Sequence, residues 1–272
     1  MKMNLKKVLG YGILAGAVFC NSNFALAAND KETINQVALL QSLALGHFDG
    51  SITVKEWKTF GDTGIGTFDG LNGELIALDG VIYQGDQNCR AHVMKDNDTI
   101  PFSNITFFEK DFSVKLNNVA DKAALEKILN ECVAKSGTND FYMIKLPAEY
   151  NEILIRSEAK QNKPYPTLVQ ALEATQKETT LKNVKGTIVG LYCPQFMSSL
   201  NSVGWHFHFI SDDKKFAGHV LNMNIKNGEA SFDKTENFSM ILPKNKDFDK
   251  LNFEKDLRED IHKAENDSQV KK

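Results

Sequence analysis

His206, His208 and His219 stand in two apolar, strand-like segments with a polar, turn-like segment between them. That pattern predicts a β-hairpin. Residues i and i+2 of a strand point to the same face, so His206 and His208 share a face. If the turn centres on residues 213–214, antiparallel pairing places His208 opposite His219, with their Cβ atoms about 5 Å apart. Three imidazoles could then converge on one point, as a catalytic zinc site with an open coordination position requires.

A His-x-His pair alone is a weak signal, because strand histidines are also common as ordinary surface or core residues. A third histidine at the position that the hairpin would place opposite makes a metal site the favoured interpretation. Three imidazoles suit Zn²⁺, and Fe²⁺, Ni²⁺ or Co²⁺ would also fit. The histidines therefore decide between two classes of protein, a metalloenzyme and an inert secreted domain.

Two charged residues adjoin apolar strand segments and could act beside a metal. Glu74 directly precedes Leu75–Leu78, and a buried carboxylate there would need a metal ion or an arginine as its partner. Arg156 follows Ile153–Ile155, and its planar guanidinium is suited to binding a substrate carboxylate. Each residue also has a simpler interpretation, an exposed strand end for Glu74 and a strand-end salt bridge for Arg156.

The segment Gly61–Gly70 is dense in glycine. No helical pattern follows it, so a phosphate-binding loop is disfavoured. A tight system of β-turns and a loop that lines a substrate site both fit the composition.

The remaining hydrophobic patterns predict many strands and few helices, which indicates an α+β fold of two β-rich subdomains, with a mixed sheet and an antiparallel sheet. The predicted strand-rich stretches are 52–108, 141–156 and 186–242. Helices are predicted at Thr33–Phe48, with Thr33 as N-cap, at about Asp121–Lys135, with Gly137 after its end, and near 167–174. In the charged tail, Phe253, Leu257 and Ile261 are spaced as one face of an amphipathic helix.

These patterns divide the chain into four segments. Residues 1–27 have a basic start, an apolar stretch and an Ala25-Leu26-Ala27 cleavage pattern, as in a secretory signal peptide. An exported protein, periplasmic or extracellular, is therefore expected. The N-terminal β-rich subdomain is predicted over 28–157 and the C-terminal β subdomain, with the histidine hairpin, over 158–242. The tail, 243–272, is predicted to pack over the site.

The composition is ordinary for a soluble globular protein, with 42% of the 272 residues hydrophobic and 25% charged. The formal net charge is −3, and removal of residues 1–27 would take away three lysines and no acid. Because no basic patch occurs, nucleic acid and anionic membrane surfaces are disfavoured as partners, and a small polar molecule is favoured. Cys89, Cys132 and Cys193 would remain, an odd number that leaves at least one thiol unpaired.

Several longer segments together resemble the alpha-acetolactate decarboxylase family. They occur in the expected order and span nearly the whole chain after residue 27. The matching segments are Gly64–Ile76, Pro101–Phe102, Thr106–Glu109, Gln161–Tyr165, Lys182–Thr187 and Gly204–Leu221. Lys145 and Lys160 depart from the pattern, since the family often has arginine at these two positions.

The resemblance implies a zinc site made by His206, His208 and His219, at the second of two β-rich subdomains, with the tail folded over it. Thr67 falls at a threonine that lines the pocket, and Arg156 falls at the active-site arginine. The implied substrate is the small molecule 2-acetolactate. We expect the protein to assemble as a homodimer.

The implied reaction is decarboxylation of 2-acetolactate to acetoin and CO₂, with zinc stabilising the enediolate that loss of CO₂ leaves. Arg156 would orient the substrate carboxylate, and a carboxyl group would donate the proton. Glu74 is one candidate donor. The other is a tail glutamate, which is Glu265 by position, with Glu259 as the second choice.

Two other functions stay open from the residues alone. The three histidines could activate water in a secreted zinc hydrolase. They could also hold a metal in a secreted module that has no catalytic activity. Glu74 and Arg156 argue against such a module, because metal storage requires neither residue.

Overall fold

The computed structural model describes residues 31–266 and confirms the β-rich α+β fold class. The predicted signal peptide, 1–27, lies outside the described residues. None of the described helices is long and apolar enough to cross a membrane. The strands are β1 (Thr33–Val37), β2 (Ile52–Thr53), β3 (Thr63–Thr67), β4 (Glu74–Leu78), β5 (Val81–Gly85), β6 (Ala91–Val93), β7 (Thr99–Ile100), β8 (Phe102–Thr106), β9 (Phe112–Val119), β10 (Phe141–Ser157), β11 (Lys177–Cys193), β12 (Gly204–Ser211), β13 (Ala217–Thr235) and β14 (Asn237–Ile241). The helices are α1 (Leu40–Ala44), α2 (Val54–Trp57), α3 (Lys122–Ser136), α4 (Leu168–Thr175) and α5 (Arg258–Asn266).

Two sheets hold most of the strands. The first has the order β14-β1-β8-β3-β4-β5-β6 and is mixed, because β14 runs parallel to β1 while β8 runs antiparallel to it. The second has the order β10-β11-β12-β13-β9 and is antiparallel. β10 also pairs with β13, so the strands β10 to β13 close on one another. The predicted combination of a mixed and an antiparallel sheet is confirmed.

The two sheets share a hydrophobic core. Ile65 and Ile76 of the first sheet pack with Val189, Leu191 and Ile210 of the second. Sheet membership does not follow the predicted division between residues 157 and 158, because β9 and β10 precede it and belong to the second sheet. β14 follows it and belongs to the first. Each sheet therefore combines strands from both sides of the predicted division.

The N-terminal segment differs from its prediction. The spacing predicts a helix over Thr33–Phe48, but the structure has a strand over Thr33–Val37 and only a short helix over Leu40–Ala44. β1 lies between β8 and β14, so side chains on both of its faces are buried and its apolar residues need not alternate. Ala38 has a left-handed φ of 60°, which separates the strand from the helix. The prediction of one long helix capped by Thr33 is wrong.

The glycine-dense segment contains a strand. Residues Thr63–Thr67 form β3, which lies between β4 and β8. A Cβ atom on Gly64 would lie 2.0 Å from the carbonyl oxygen of Asn104, so glycine allows β8 to approach closely. Neither a system of turns nor a loop describes residues 63–67, although Thr67 does line the candidate site.

Three predicted elements are confirmed with small shifts at their ends. α3 has Asp121 as its N-cap, and Gly137 follows its last turn. α4 begins after Thr167, whose side chain accepts a hydrogen bond from Gln170 N. β10 ends one residue beyond its predicted end, at Ser157. Local capping residues and apolar spacing are therefore sufficient to predict these elements from the sequence.

The cysteines Cys89, Cys132 and Cys193 carry free thiols. Burial raises the pKa of the Cys89 thiol to about 12, and it also raises the pKa of Cys193. These two thiols are therefore protonated at neutral pH and pack as small apolar side chains.

Replacement of Asp121 by alanine is expected to lower the free energy of unfolding by about 1 kcal/mol. The Asp121 carboxylate accepts a hydrogen bond from Ala124 N at 2.8 Å, and alanine cannot replace that acceptor. Asp121→Asn retains a side-chain oxygen and is the matched control. Urea unfolding followed by circular dichroism measures both variants. Equal midpoints for wild type and Asp121→Ala would show that this cap does not stabilise the fold.

Candidate metal centre and active site

The predicted histidine hairpin is confirmed. β12 and β13 pair so that His208 lies directly opposite His219. The Nε2 atom of His206 lies 3.0 Å from His208 Nε2 and 3.0 Å from His219 Nδ1. All three side chains are buried. Three ring nitrogens therefore converge on one point inside the protein.

The outer nitrogens of two of these rings are held by backbone carbonyls. His208 Nδ1 lies 2.8 Å from the oxygen of Leu75, and His219 Nε2 lies 3.0 Å from the oxygen of Glu265. A neutral imidazole has one N–H donor and one lone pair, so donation to the carbonyls directs the lone pairs of His208 Nε2 and His219 Nδ1 inwards. Carbonyl partners of this kind orient histidine ligands in metal sites. The donor set thus fits a metal ion.

The three imidazoles are neutral at physiological pH. Burial lowers the pKa of His206 to about 3, and the positive charges of Arg156 and Lys122 act in the same direction. Burial also holds the pKa of His208 and that of His219 well below the ordinary value. A metal ligand must be the neutral imidazole, so this environment prepares all three rings for coordination.

Two carboxyl groups adjoin the same point. Glu74 Oε2 lies 3.3 Å from His208 Nε2, and Glu265 Oε2 lies 3.2 Å from His206 Nε2. Burial raises the pKa of Glu74 and that of Glu265, while it lowers the pKa of both histidines. These contacts are therefore not conventional ion pairs between charged partners. A divalent cation among the imidazoles would instead give both carboxylates a counter-charge.

Arg156 connects the histidines to the carboxyl groups. It lies near the end of β10, in register with His219. Its Nη1 lies 3.1 Å from Glu74 Oε1 and 3.3 Å from Glu158 Oε2, and its Nη2 donates to the carbonyl oxygen of Ala264 at 2.9 Å. The buried Nε has no hydrogen-bond partner among the described residues. An unsatisfied buried donor in a cavity marks a position where the oxygen of a ligand would bind.

Glu158 is a site residue that the sequence analysis missed. Only 1% of its surface is exposed, and its side chain lines the same cavity. Burial raises its pKa to about 7, against the opposing effect of Arg156. Glu158 lies one residue beyond the end of β10, so strand alternation does not mark it in the sequence.

The site residues other than His219 line one small cavity of about 30 Å³. Thr67 is among them, as the resemblance implies, and its hydroxyl donates to the carbonyl oxygen of Gly73 at 2.8 Å. Apolar side chains line the cavity as well, namely Leu43, Leu71, Phe102, Leu168 and Leu172. The cavity therefore combines polar and apolar lining, as suits a small molecule that carries both kinds of group.

The tail helix α5 closes the cavity. Leu257, Ile261 and Ala264 are buried in a cluster with residues of α1 and α4. This packing brings Glu265 into the cavity, as predicted by position, whereas Glu259 is exposed and is not the tail carboxylate of the site. Phe253 precedes α5 and is exposed, so its predicted place on the apolar face is wrong.

Buried imidazoles and carboxyl groups with shifted pKa values, gathered with one guanidinium at a small cavity, are characteristic of an enzyme active site. Comparison with known proteins identifies the family. The model of the family described as alpha-acetolactate decarboxylase matches residues 34–255. The chain therefore belongs to the alpha-acetolactate decarboxylase family, whose members are carboxy-lyases.

Individual relatives agree with this assignment. The alpha-acetolactate decarboxylase of Methanosarcina mazei is 36% identical over 240 residues, which cover 88% of this chain and 82% of that protein. The enzyme of Brevibacillus brevis is 35% identical over 245 residues, which cover 89% and 85%. The crystal structure of alpha-acetolactate decarboxylase from Bacillus subtilis strain 168 superimposes with a TM-score of 0.83 at 32% identity, over 86% of this chain and 100% of that one. The family match ends before α5, so the place of Glu265 in the site depends on the geometry described above.

Replacement of Ile261 by alanine is expected to loosen α5 without unfolding the sheets. The side chain is buried between α5 and its neighbours, and loss of such a side chain costs about 2–5 kcal/mol in a well-packed core. Limited proteolysis should then cut within 258–266 faster than in wild type, and hydrogen exchange should rise in the same segment. Glu259→Ala, on the exposed face of the helix, is the matched control. Equal cleavage rates for the two variants would contradict the docking role of Ile261.

Proposed function

We propose that this protein catalyses zinc-dependent decarboxylation of 2-acetolactate to acetoin and CO₂. The observation that carries the proposal is the convergence of three neutral imidazoles on one point, with Glu74 and Arg156 beside them. Membership of the family supports the same reaction. Neither a metal-storage module nor a structural domain has a use for the buried guanidinium beside the imidazoles.

The substrate explains why these groups occur together. 2-Acetolactate carries a carboxylate, a tertiary hydroxyl group and a neighbouring ketone. Loss of CO₂ leaves an electron pair that must be accommodated before a proton arrives. Zn²⁺ held by His206, His208 and His219 would supply a Lewis acid for the hydroxyl and ketone oxygens, so no organic electron sink is required.

Arg156 is suited to orienting the substrate carboxylate. Its Nη1 is occupied by Glu74 and Glu158, which leaves the edge formed by Nε and Nη2 for a ligand. At that edge, Nε has no partner among the described residues and Nη2 is bound only to the carbonyl of Ala264. A carboxylate can accept both N–H groups of such an edge in a planar, bidentate arrangement. Arg156 would thereby hold the bond between the carboxylate and the adjacent carbon, which breaks in the reaction, in a fixed position relative to the imidazoles.

A buried carboxyl group would complete the reaction by donating a proton to the enediolate carbon. Glu74 and Glu265 are both suited to this role, because burial raises the pKa of each carboxyl group above its ordinary value and so favours the protonated form. The negative charges of Glu158 and Glu265 raise the pKa of Glu74 further, after the effect of burial. Delivery from one fixed side of the cavity would set the configuration of acetoin.

His206→Ala and His208→Ala are expected to abolish both metal binding and the release of acetoin, because each removes one of three ligand nitrogens. The measurements are metal analysis of the purified protein and a colorimetric assay of acetoin formed from 2-acetolactate. His92→Ala, an exposed histidine outside the cavity, is the control and should retain both properties. Full turnover by either site variant after chelator treatment would refute the mechanism. A wild-type protein that binds zinc, hydrolyses esters and releases no acetoin would instead be a zinc hydrolase.

Arg156→Lys is expected to fold and to bind metal, but to lose about 100-fold in kcat/KM, the scale of removing one oriented donor from an active site. Lysine retains the positive charge but cannot present two parallel N–H groups to a carboxylate. Steady-state kinetics with 2-acetolactate, alongside metal analysis, provide the test. Wild-type kinetics for Arg156→Lys would rule out the bidentate role.

A further inference from the structure

The small volume of the cavity leaves open how the substrate reaches the site. Its volume of about 30 Å³ is close to the share of one water molecule in the liquid, and 2-acetolactate is several times larger. The C-terminal part of α5 forms one side of the cavity, through Glu265 and the carbonyl of Ala264. An element that lines the cavity must therefore move before the substrate can bind.

A large open groove adjoins the same helix. It has a volume of about 800 Å³ and lies between the start of α3, the start of β12 and α5. His262 of α5 lines this groove, whereas Glu265, one helical turn further along, lines the cavity. The helix α5 therefore forms a wall that the groove and the cavity share. The polar lining of the groove includes Asp121, Lys122, Glu126, Asn130, Asn222 and His262.

Lys122 provides a positive charge at the side of the groove nearest the site. Its backbone N–H donates to Asn222 Oδ1 at 2.9 Å, which ties the start of α3 to β13 three residues after His219. Only 14% of its side chain is exposed, and its Nζ lies 3.8 Å from Glu126 Oε1. The charge of Lys122 also lowers the pKa of His206 and that of His219 and opposes the rise in the pKa of Glu265. Lys122 is therefore close enough to the site for its charge to act on the groups there.

We propose that this groove is the route by which the anionic substrate reaches the metal centre, and that Lys122 attracts its carboxylate before Arg156 binds it. A cation at the mouth of a site concentrates anions there and raises the rate of productive encounter. Lys122 contributes to capture, whereas Arg156 contributes to the reaction. The inference rests on the proposed function for the identity of the substrate, a 2-hydroxy carboxylate.

Lys122→Met tests the proposal, because methionine keeps the length and apolar stem of the buried side chain and removes only the charge. The expected result is a fall of about tenfold in kcat/KM for 2-acetolactate at low ionic strength, with kcat within about twofold of wild type. The difference from wild type should shrink as salt is added, since screening weakens attraction over such distances. Lys122→Arg restores the charge and should restore both the activity and its salt dependence.

Lys127→Ala is the matched control, since it removes one exposed positive charge from the same helix outside the groove. It should behave as wild type at every salt concentration. Thermal midpoints of all variants identify any loss of folding. An unchanged kcat/KM and salt dependence in Lys122→Met would overturn the proposal, as would a loss confined to kcat.

A second readout separates this inference from the proposed function. 2-Hydroxy-2-methylpropanoate has the carboxylate and tertiary hydroxyl group of the substrate but no ketone, so it binds without reacting. Calorimetry should give an affinity about tenfold weaker for Lys122→Met than for wild type at low salt. If wild type released no acetoin, the proposed function would fail, and this binding difference would still decide the role of Lys122. Equal affinities would refute that role even in an active enzyme.

Discussion

The burial of Arg156 among carboxyl groups is the interaction on which the rest of the site depends. A guanidinium taken out of water requires partners, and here Glu74, Glu158 and the carbonyl of Ala264 provide them. With Glu265 in the same cavity, three carboxyl groups surround one permanent cation. Burial raises the pKa of all three carboxyl groups and lowers the pKa of the neighbouring imidazoles. Exclusion of water from one cavity therefore shifts the carboxyl groups and the imidazoles towards their neutral forms.

Rigid strand pairing fixes most of this arrangement. Arg156 is in register with His219, and Thr67 is in register with Glu74, so each pair is set by backbone hydrogen bonds. Closure of β10 to β13 on one another limits how far the imidazoles can move apart. The tail contributes by a different means, because apolar packing of α5 on α1 and α4 brings in Glu265. The site is therefore rigid on its sheet side and depends on helix docking on the other.

The sequence predicts those parts of the site that follow from local periodicity. The pairing of His208 with His219 needs only strand alternation and a turn centre, and Glu74 and Arg156 are visible as charges beside apolar strands. The apolar spacing over residues 33–48 fits a helix as well as a buried central strand. Only pairing with the neighbouring strands β8 and β14 decides that residues 33–37 form a strand. Sheet membership and the involvement of Glu158 depend on contacts between distant segments. Such contacts leave no periodic signal in the chain.

The position of α5 after every other described element gives the site an order of assembly. The imidazoles and Arg156 come together once β13 has paired with β10 and β12, before residues 258–266 are needed. Glu265, together with the two backbone carbonyls that hold His219 and Arg156, is added in a later and separate step. A nascent chain that ends before residue 258 therefore contains every described strand of both sheets but lacks one wall of the site. Completion of the sheets and completion of the site fall at different points in the synthesis of the chain.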